Sequence, residues 1–422
     1  MKKIIVAACM AAVLLLTALA GCSSGSSSST AASDASSSTS APADNDKKVL
    51  TIAQGGDITT FDMQNHNNGV TGAVLCNFSH GLVERADEDN AWVCVLAKSY
   101  EMIDDSTWEF KLRDDVTWHN GDPFTAADVK YTYERAATDE SLAENHIFKV
   151  IKEVQIIDDY TVRFATDGPY PTLLSLLSKN GSQVMPSKYI EENGLDYYLE
   201  HPIGCGPYQF KEWVKDNVVV LERYDDYFGG TPYWDEVRFR AIPEASTRVA
   251  ELLTGNVDII VNVPTNEWDR INTEENTEMV LGNGTRIYNV IMKWNTSPTQ
   301  NKQVREAVAY AIDAQTIIDT VLKGAGTPCY TRIAPGVFGQ DKSLYNINKY
   351  DPDKAKELIA SSGYNGEEIE LLVPSGRYLM DSEVGKVVAA MLQEAGLNIK
   401  LNVLEWSAYI NKFNAGEFNG MA

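Results

Sequence analysis

Adjacent carboxylates recur in this sequence, and a pair of acidic side chains is what glycoside hydrolases use as acid and base. Four pairs stand out: Asp104-Asp105, Asp114-Asp115, Asp158-Asp159 and Asp225-Asp226. Three of them fall in predicted turns or at their edges, where Asp is favoured by hydrogen bonds to the local backbone. With 59 acidic residues in 422, adjacency needs no catalytic cause. We therefore predict no catalytic residue, and a surface-anchored hydrolase stays as an alternative.

Histidine and cysteine do not fall at the spacings that metal sites use. No histidine lies three or four residues from another, and the patterns H-E-x-x-H and C-x-x-C are absent. We predict no metal site and no cofactor; a site assembled from residues distant in sequence is the alternative. Beyond the first 22 residues there are four cysteines, for which we expect isolated buried thiols, with a disulfide between the first two left open. These cysteines are Cys76, Cys94, Cys205 and Cys329.

One cysteine near the amino terminus has a specific chemical context. Lys2 and Lys3 precede an apolar run over 4–20, and the sequence Leu-Ala-Gly-Cys ends at Cys22. A charged start followed by an apolar run is typical of a secretory signal. The ending resembles the bacterial lipobox, which implies cleavage before Cys22 and acylation of that residue. A plain secretory peptide with an incidental cysteine is the alternative.

The amino-terminal pattern predicts where the protein resides. We assign residues 1–21 to the signal peptide, and residues 22–46 to a disordered Ser/Ala-rich tether that is too polar to bury a core. No later run is apolar over the roughly 20 residues that a membrane-spanning helix needs. The sequence therefore predicts an extracytoplasmic bacterial protein that is held at the cell membrane by lipid alone.

Composition limits the class of protein further. The length of 422 residues suits two or three domains, and the formal net charge of −23 argues against nucleic acid as a partner. The chain has 8 Trp, 20 Tyr and 12 Phe, many of them outside clear core positions. Lobed proteins bind small ligands at domain boundaries, between aromatic walls and a few polar groups. This favours a binding protein over an enzyme.

Hydrophobic periodicity predicts alternating strands and helices over most of the remaining chain. Hairpins are expected where two alternating runs flank a short polar turn, and parallel strand–helix–strand units where a helix separates two such runs. The predicted hairpins cover 99–112, 150–165 and 208–223, and the predicted units cover 237–261 and 369–404. Single strands are expected over 49–53, 286–294 and 417–421, and helices over 70–82, 301–312, 351–359 and 406–414, with a further helix capped by Thr125 and Asp128.

Residues 201–213 contain three backbone-breaking residues within four positions. Gly204 and Gly206 permit close backbone approach or positive φ, and Pro207 fixes φ and lacks an N–H donor. A strand-like run comes directly after them. We interpret this segment as the place where the chain leaves one lobe and re-enters another, and an ordinary loop before a hairpin is the alternative.

Several ordered segments resemble the extracellular solute-binding proteins of family 5, the oligopeptide, dipeptide and nickel receptors of ABC importers. The resemblance covers about 49–422 and rests on RDDVTWHNGDPFTAADVKYTYER (113–135), PIGCGPYQFKEW (202–213), STRVAELLTGNVDI (246–259), VREAVAYAID (304–313) and DPDKAKELIASSGY (351–364). It implies an α/β fold, the type II periplasmic-binding-protein-like fold with three lobes. Lobe I is then discontinuous over 47–80 and 201–290, lobe II is inserted over 81–200, lobe III covers 291–422, and the family domain is 47–422.

The resemblance also implies a function and a set of ligand contacts. A short peptide would be enclosed between lobes I and III by hinge closure and delivered to a permease with its ATPase, by a monomeric receptor. The implied ligand contacts are Asn65, His66, Asn67, Ser182, Trp406 and Tyr409, although a solvated Asn-rich loop is also typical of the first three. A nickel chelate, an oligosaccharide or an opine is the alternative cargo, and a sensor or adhesion lipoprotein the alternative role.

The carboxyl end departs from the family pattern. In relatives, a Trp and an Asp come after the position that corresponds to Met421, and that Asp pairs with the peptide α-amino group. The present sequence stops before them. The resemblance therefore implies a fold truncated at the C-terminus, with lobes I and III incomplete in the sequence.

Overall fold

A computed structural model describes residues 47–86, 91–282, 284–296, 298–337 and 339–422. The predicted signal peptide, the acylated Cys22 and the tether over 22–46 lie outside the described residues. Within the described ranges, no helix is both long and apolar enough to cross a membrane.

The described residues form strands and helices that alternate along the chain. In chain order the strands are β1 (Val49–Gln54), β2 (Val83–Arg85), β3 (Trp92–Cys94), β4 (Ala97–Asp104), β5 (Thr107–Leu112), β6 (Ile151–Asp158), β7 (Thr161–Thr166), β8 (Tyr208–Val214), β9 (Val218–Arg223), β10 (Glu236–Ala241), β11 (Ile259–Ile260), β12 (Ile369–Ser375), β13 (Ile399–Glu405) and β14 (Gly420–Met421). The helices are α1 (Gly69–Phe78), α2 (Ala126–Thr138), α3 (Asn145–Phe148), α4 (Leu173–Leu177), α5 (Ser187–Asn193), α6 (Leu195–Glu200), α7 (Ala245–Leu253), α8 (Trp268–Thr273), α9 (Lys302–Ala311), α10 (Ala314–Thr320), α11 (Pro352–Ser361), α12 (Asp381–Glu394) and α13 (Trp406–Asn414), with short 3₁₀ turns at Thr265–Glu267 and Lys342–Leu344.

A five-stranded mixed sheet has the order β11-β1-β10-β9-β8. The predicted hairpin over 208–223 forms its antiparallel edge, and the predicted unit over 237–261 supplies β10, α7 and β11. However, β1 lies between β10 and β11 and pairs with both in parallel. Strands β10 and β11 are therefore consecutive in sequence but not adjacent in the sheet, because β1, an apolar strand from the amino end of the described chain, lies between them.

A four-stranded antiparallel sheet has the order β4-β5-β7-β6, which confirms the two predicted hairpins. Trp108, Phe110 and Leu112 alternate along β5 and are all buried, because successive strand side chains point to opposite faces. Helix α2 packs against this sheet. Its predicted cap is confirmed: the Asp128 carboxylate accepts the backbone N–H of Thr125 at 2.9 Å.

A three-stranded parallel sheet has the order β13-β12-β14. Helix α12 connects β12 to β13, as the predicted strand–helix–strand unit over 369–404 requires. On α9 the residues predicted to face inward, Val304, Val308 and Ala311, are at most 2% exposed. Burial of this amphipathic face, rather than helix propensity, stabilises so short a helix.

One predicted strand is absent, and one predicted helix boundary is wrong. No strand forms over 286–294, because only Ile291 and Lys293 find backbone partners, in residues 420–422, and a β-strand needs a partner along its length. The helix predicted over 70–82 ends at Phe78, because Ser79 adopts an extended backbone with φ −150° and ψ 160°. The chain then continues into the core beside the four-stranded sheet.

The four cysteines in the described part of the chain are free thiols, as predicted. Their expected burial holds only for Cys205. Cys76 is exposed on α1, and Cys94 and Cys329 are half-buried. The prediction of burial was wrong for these three because sequence spacing carries no information about packing.

The segment around Gly204 crosses from one core to another. Cys205 packs in the core of the four-stranded sheet, and Tyr208 packs in the core of the five-stranded sheet. A Cβ at Gly204 would lie 2.0 Å from the carbonyl oxygen of Phe78, and one at Gly206 would lie 2.6 Å from the carbonyl carbon. Glycine is therefore required here by close backbone approach and not by positive φ.

The lobe limits inferred from the sequence stay a prediction. Ile190 and Tyr198 fall inside the range 81–200 assigned to lobe II, yet they pack in the core of the five-stranded sheet. Helices α5 and α6, which carry them, therefore cover the sheet that contains β1.

Candidate functional site

Two loops that come after parallel strands approach each other. One loop extends from β1 and covers 55–68; the other extends from β12 and covers 376–380. A Cβ at Gly69, the first residue of α1, would lie 3.6 Å from Nη2 of Arg377 in the second loop. Because ligands of α/β proteins bind outside the carboxyl ends of parallel strands, this contact marks the candidate site.

The first loop is anchored from behind by a buried ion pair. Arg135 on α2 donates to Asp62 Oδ1 at 2.9 Å and Oδ2 at 2.6 Å, and to Gln64 Oε1 at 2.7 Å. The side chains of Arg135 and Asp62 are 12% and 3% exposed. A bidentate pair of this kind fixes geometry as well as charge, so the backbone that leads to residues 65–68 has a defined path.

His66 lies at the end of this anchored segment and is 4% exposed. Neither of its ring nitrogens has a hydrogen-bond partner among the described residues. Burial lowers the pKa of His66, so the ring is neutral at pH 7, with one nitrogen as donor and the other as acceptor. Asn65 and Asn67 flank it and are exposed. The loop thus presents the amides of Asn65 and Asn67 to a ligand, with the unpartnered His66 ring buried between them.

Helix α1 begins directly after these residues. Asn68 caps it, and its side-chain oxygen accepts the backbone N–H of Val70 at 2.8 Å. The first N–H groups of a helix and its dipole create a partial positive charge at this end. Arg377 therefore adds a full positive charge beside a partial one.

The second loop is held by the carboxylate of Asp381, which is 6% exposed. This carboxylate accepts backbone N–H groups from Gly376 at 3.2 Å, and from Arg377 and Tyr378 at 2.9 Å each. Charge-assisted bonds to three successive residues make the loop a defined element. The side chains of Arg377 and Tyr378 are thereby positioned toward the aromatic residues of α13.

Aromatic rings and guanidinium groups form the wall of the candidate site. The ring of Trp406 lies 5.6 Å from that of Tyr378 and 5.7 Å from that of Tyr409, between centroids. The Arg377 guanidinium lies 5.4 Å from the Tyr378 ring and 5.4 Å from the Trp406 ring. Arg286 lies 4.8 Å from the Tyr378 ring. A stacked guanidinium keeps its N–H edge free for a carboxylate.

Five of the six residues predicted to bind ligand lie on the two elements that flank the contact between Arg377 and Gly69. Asn65, His66 and Asn67 lie on the first loop, Trp406 and Tyr409 lie on α13, and the contact between Arg377 and Gly69 connects the two sides. Their roles in ligand binding stay predictions.

Ser182 is placed differently. It is 3% exposed, its hydroxyl donates to the carbonyl of Lys179, and its own carbonyl accepts the hydroxyl of Tyr133 at 2.7 Å. The amide of Gln64 contacts the carbonyls on either side of it. Ser182 therefore supports the first loop from behind, and its surroundings give no support to a ligand contact.

Sequence reasoning missed Arg377, Tyr378 and Arg286. The first two come directly after the strand predicted at the start of the unit over 369–404. That position at the carboxyl end of a parallel strand was the signal that could have identified them. Arg286 falls within the strand that was wrongly predicted over 286–294.

Two of the acidic pairs lie in hairpin turns, away from the candidate site, and the potential metal ligands among the described residues form no cluster. Asp104 and Asp158 accept backbone N–H groups within the two hairpin turns, from Ser106 and Tyr160 at 2.9 Å each. The described ranges contain no group of three or more His, Cys, Asp or Glu side chains that could hold a metal ion.

Comparison with known proteins places this sequence in a family. The sequence profile of the bacterial extracellular solute-binding proteins, family 5 Middle, matches residues 92–421. The glutathione-binding protein GsiB of Salmonella paratyphi A is 28% identical over 361 residues, which cover 85% of this chain and 70% of that protein.

Solved structures resemble the fold. The binding protein AgaA of A. tumefaciens R10, in complex with agropinic acid, has a TM-score of 0.77 and 27% identity, covering 89% of this chain and 76% of that one. DppA of Helicobacter pylori, in complex with the peptide STSA, has a TM-score of 0.73 and 25% identity, covering 89% and 77%. These likenesses confirm the predicted type II periplasmic-binding-protein fold. The chain belongs to family 5 of the bacterial extracellular solute-binding proteins, which are substrate-binding components of ABC importers and not enzymes.

Proposed function

We propose that this chain is the lipid-anchored receptor of an ABC importer and that it captures short peptides at the candidate site. The observation that carries the proposal is Arg377, a guanidinium beside the first turn of α1 that has no ion pair with any described carboxylate. Relatives named for glutathione and for a bound peptide support the same class of cargo.

The residues suggest how a peptide is held. The terminal carboxylate binds the Arg377 guanidinium, and the first N–H groups of α1 add favourable charge. Asn65 and Asn67, which are exposed, donate to and accept from the peptide main chain, and closure of the lobes would have to bring the buried ring nitrogens of His66 within reach of the ligand. The rings of Trp406 and Tyr409 pack against apolar parts of the ligand.

Capture is the first step of import. In the proposed sequence, lobes I and III close over the peptide by a hinge motion, and the closed receptor, a monomer, presents the peptide to a permease with its ATPase. Acylated Cys22 and the tether over 22–46 keep the receptor at the outer face of the cell membrane.

An opine acid is a second candidate ligand, because AgaA, which resembles this chain, is described in complex with agropinic acid. An opine carries a carboxylate, so it would use the same guanidinium. Nickel chelates and oligosaccharides have no comparable support in the residues of the site.

The test is isothermal titration calorimetry of the purified chain with di- and tripeptides and with agropinic acid. Wild type is expected to bind peptides, and R377Q to bind them at least tenfold more weakly, since a hydrogen-bonded charge pair contributes about 1.5–3 kcal/mol and tenfold is about 1.4 kcal/mol. R332Q changes another arginine, which is exposed, and is the matched control. Binding of agropinic acid without any peptide binding would refute the peptide assignment.

A further inference from the structure

Arg286 is a second arginine at the candidate site that forms no ion pair with a described carboxylate. It is exposed, and its guanidinium lies 4.8 Å from the Tyr378 ring. Its segment is fastened to the loop 376–380, because the Tyr288 hydroxyl donates to the carbonyl of Leu379. Arg286 therefore has a defined place in the wall, although it belongs to no strand or helix.

Two guanidinium groups thus share one aromatic ring. Arg377 lies 5.4 Å from the centroid of Tyr378 and Arg286 lies 4.8 Å from it, so their separation cannot exceed the sum of these distances. Like charges at such a separation repel each other. The chain has 59 acidic and 36 basic residues, so acidic partners are plentiful, yet none is used here. The nearby Asp381 carboxylate is occupied by backbone N–H groups.

We propose that Arg286 binds a second anionic group of the ligand, so that the site prefers short peptides with an acidic side chain besides the terminal carboxylate. This inference rests on the proposed function, in which Arg377 binds the terminal carboxylate. Consecutive Cα atoms are about 3.8 Å apart, so the distance from the terminal carboxylate to a side-chain carboxylate on the last residue or its neighbour is compatible with this upper limit. Arg286 is thus a specificity-determining residue.

The experiment compares isosteric ligands on the purified whole chain by calorimetry. Alanyl-glutamate and alanyl-glutamine differ only in the charge of one side chain. Wild type is expected to bind the acid at least tenfold more tightly, and the preference should shrink with added salt because exposed charges are screened. R286Q is expected to remove the preference, because it weakens the binding of alanyl-glutamate much more than that of alanyl-glutamine. R286K keeps the charge and should keep most of the preference.

The outcomes separate this inference from the proposed function. Equal binding of the two peptides by wild type would overturn the inference and leave the receptor function intact. Equal weakening of both peptides by R286Q would mean that both arginines hold the terminal carboxylate, which also overturns it. Failure of every peptide to bind would refute the proposed function itself. R332Q, the exposed control, should change neither affinity.

Discussion

His119 connects the loop before α2 to the crossing segment, and its surroundings predict a loss of stability in acid. Its Nδ1 accepts the backbone N–H of Gly204 at 3.0 Å, and its Nε2 lies 3.0 Å from the carbonyl of Gly206. The ring is therefore neutral, with the proton on Nε2. Burial lowers the pKa of His119 from 6.5 to about 4, although the bond to Gly206 opposes this.

The two pKa values determine the sign of the effect. The unfolded chain takes up a proton near pH 6.5, and the folded chain does so only near pH 4. The contribution of His119 to the free energy of unfolding is therefore fully present above pH 6.5 and is lost as the pH falls toward 4. A difference of between two and three pKa units corresponds to about 3 kcal/mol, since one unit is about 1.4 kcal/mol.

The assay is urea unfolding of wild type and H119Q at several pH values between 4 and 7. Other groups also titrate in acid, so the predicted quantity is the difference between the two proteins. Wild type should lose about 3 kcal/mol more than H119Q over this range. His146, which is exposed, provides the control variant H146Q, expected to behave like wild type. Equal losses in wild type and H119Q would refute the reasoning about the buried ring.

Three further substitutions test how the site is supported. G204A is expected to lower the free energy of unfolding in urea by about 1–3 kcal/mol or more, because the added Cβ would overlap the Phe78 carbonyl. G56A is the control: its Cβ would have no atom within 4 Å, so the free energy of unfolding should change by less than about 0.5 kcal/mol. D62N leaves the buried Arg135 without its counter-charge, and we expect a loss of about 3–5 kcal/mol by the same measurement; a loss below about 1 kcal/mol would contradict this. D381N should reduce the free energy of peptide binding, measured by calorimetry, by more than it reduces the free energy of unfolding. Unchanged affinity would show that the loop 376–380 does not position the ligand.

Much of the fold was predictable from the sequence because local patterns coincided with the final packing. The alternation of Trp108, Phe110 and Leu112 identified the buried face of β5, and the spacing of Val304 and Val308 identified that of α9. Gly204 was interpreted as part of a crossing because glycine permits close backbone approach or positive φ, and the structure shows the first of these. These predictions depend only on neighbours in sequence.

The remainder depended on contacts between distant residues. Nothing local places β1 between β10 and β11, or leaves 286–290 without a strand partner. The loop after β1 was identified through the family resemblance, but the opposite wall was not. Arg377 could be identified as a site residue only from the structure, in which it lies beside Gly69, the first residue of α1.

The most direct test of peptide capture by Arg377 is the affinity of alanyl-alanine compared with that of its carboxyl-terminal amide. The two ligands differ only in the carboxylate that Arg377 is proposed to bind. We expect wild type to bind the free acid at least tenfold more tightly, a difference of about 1.4 kcal/mol, and R377Q to bind both equally. Equal affinities in wild type, or a preference for the acid that survives in R377Q, would contradict the proposed capture.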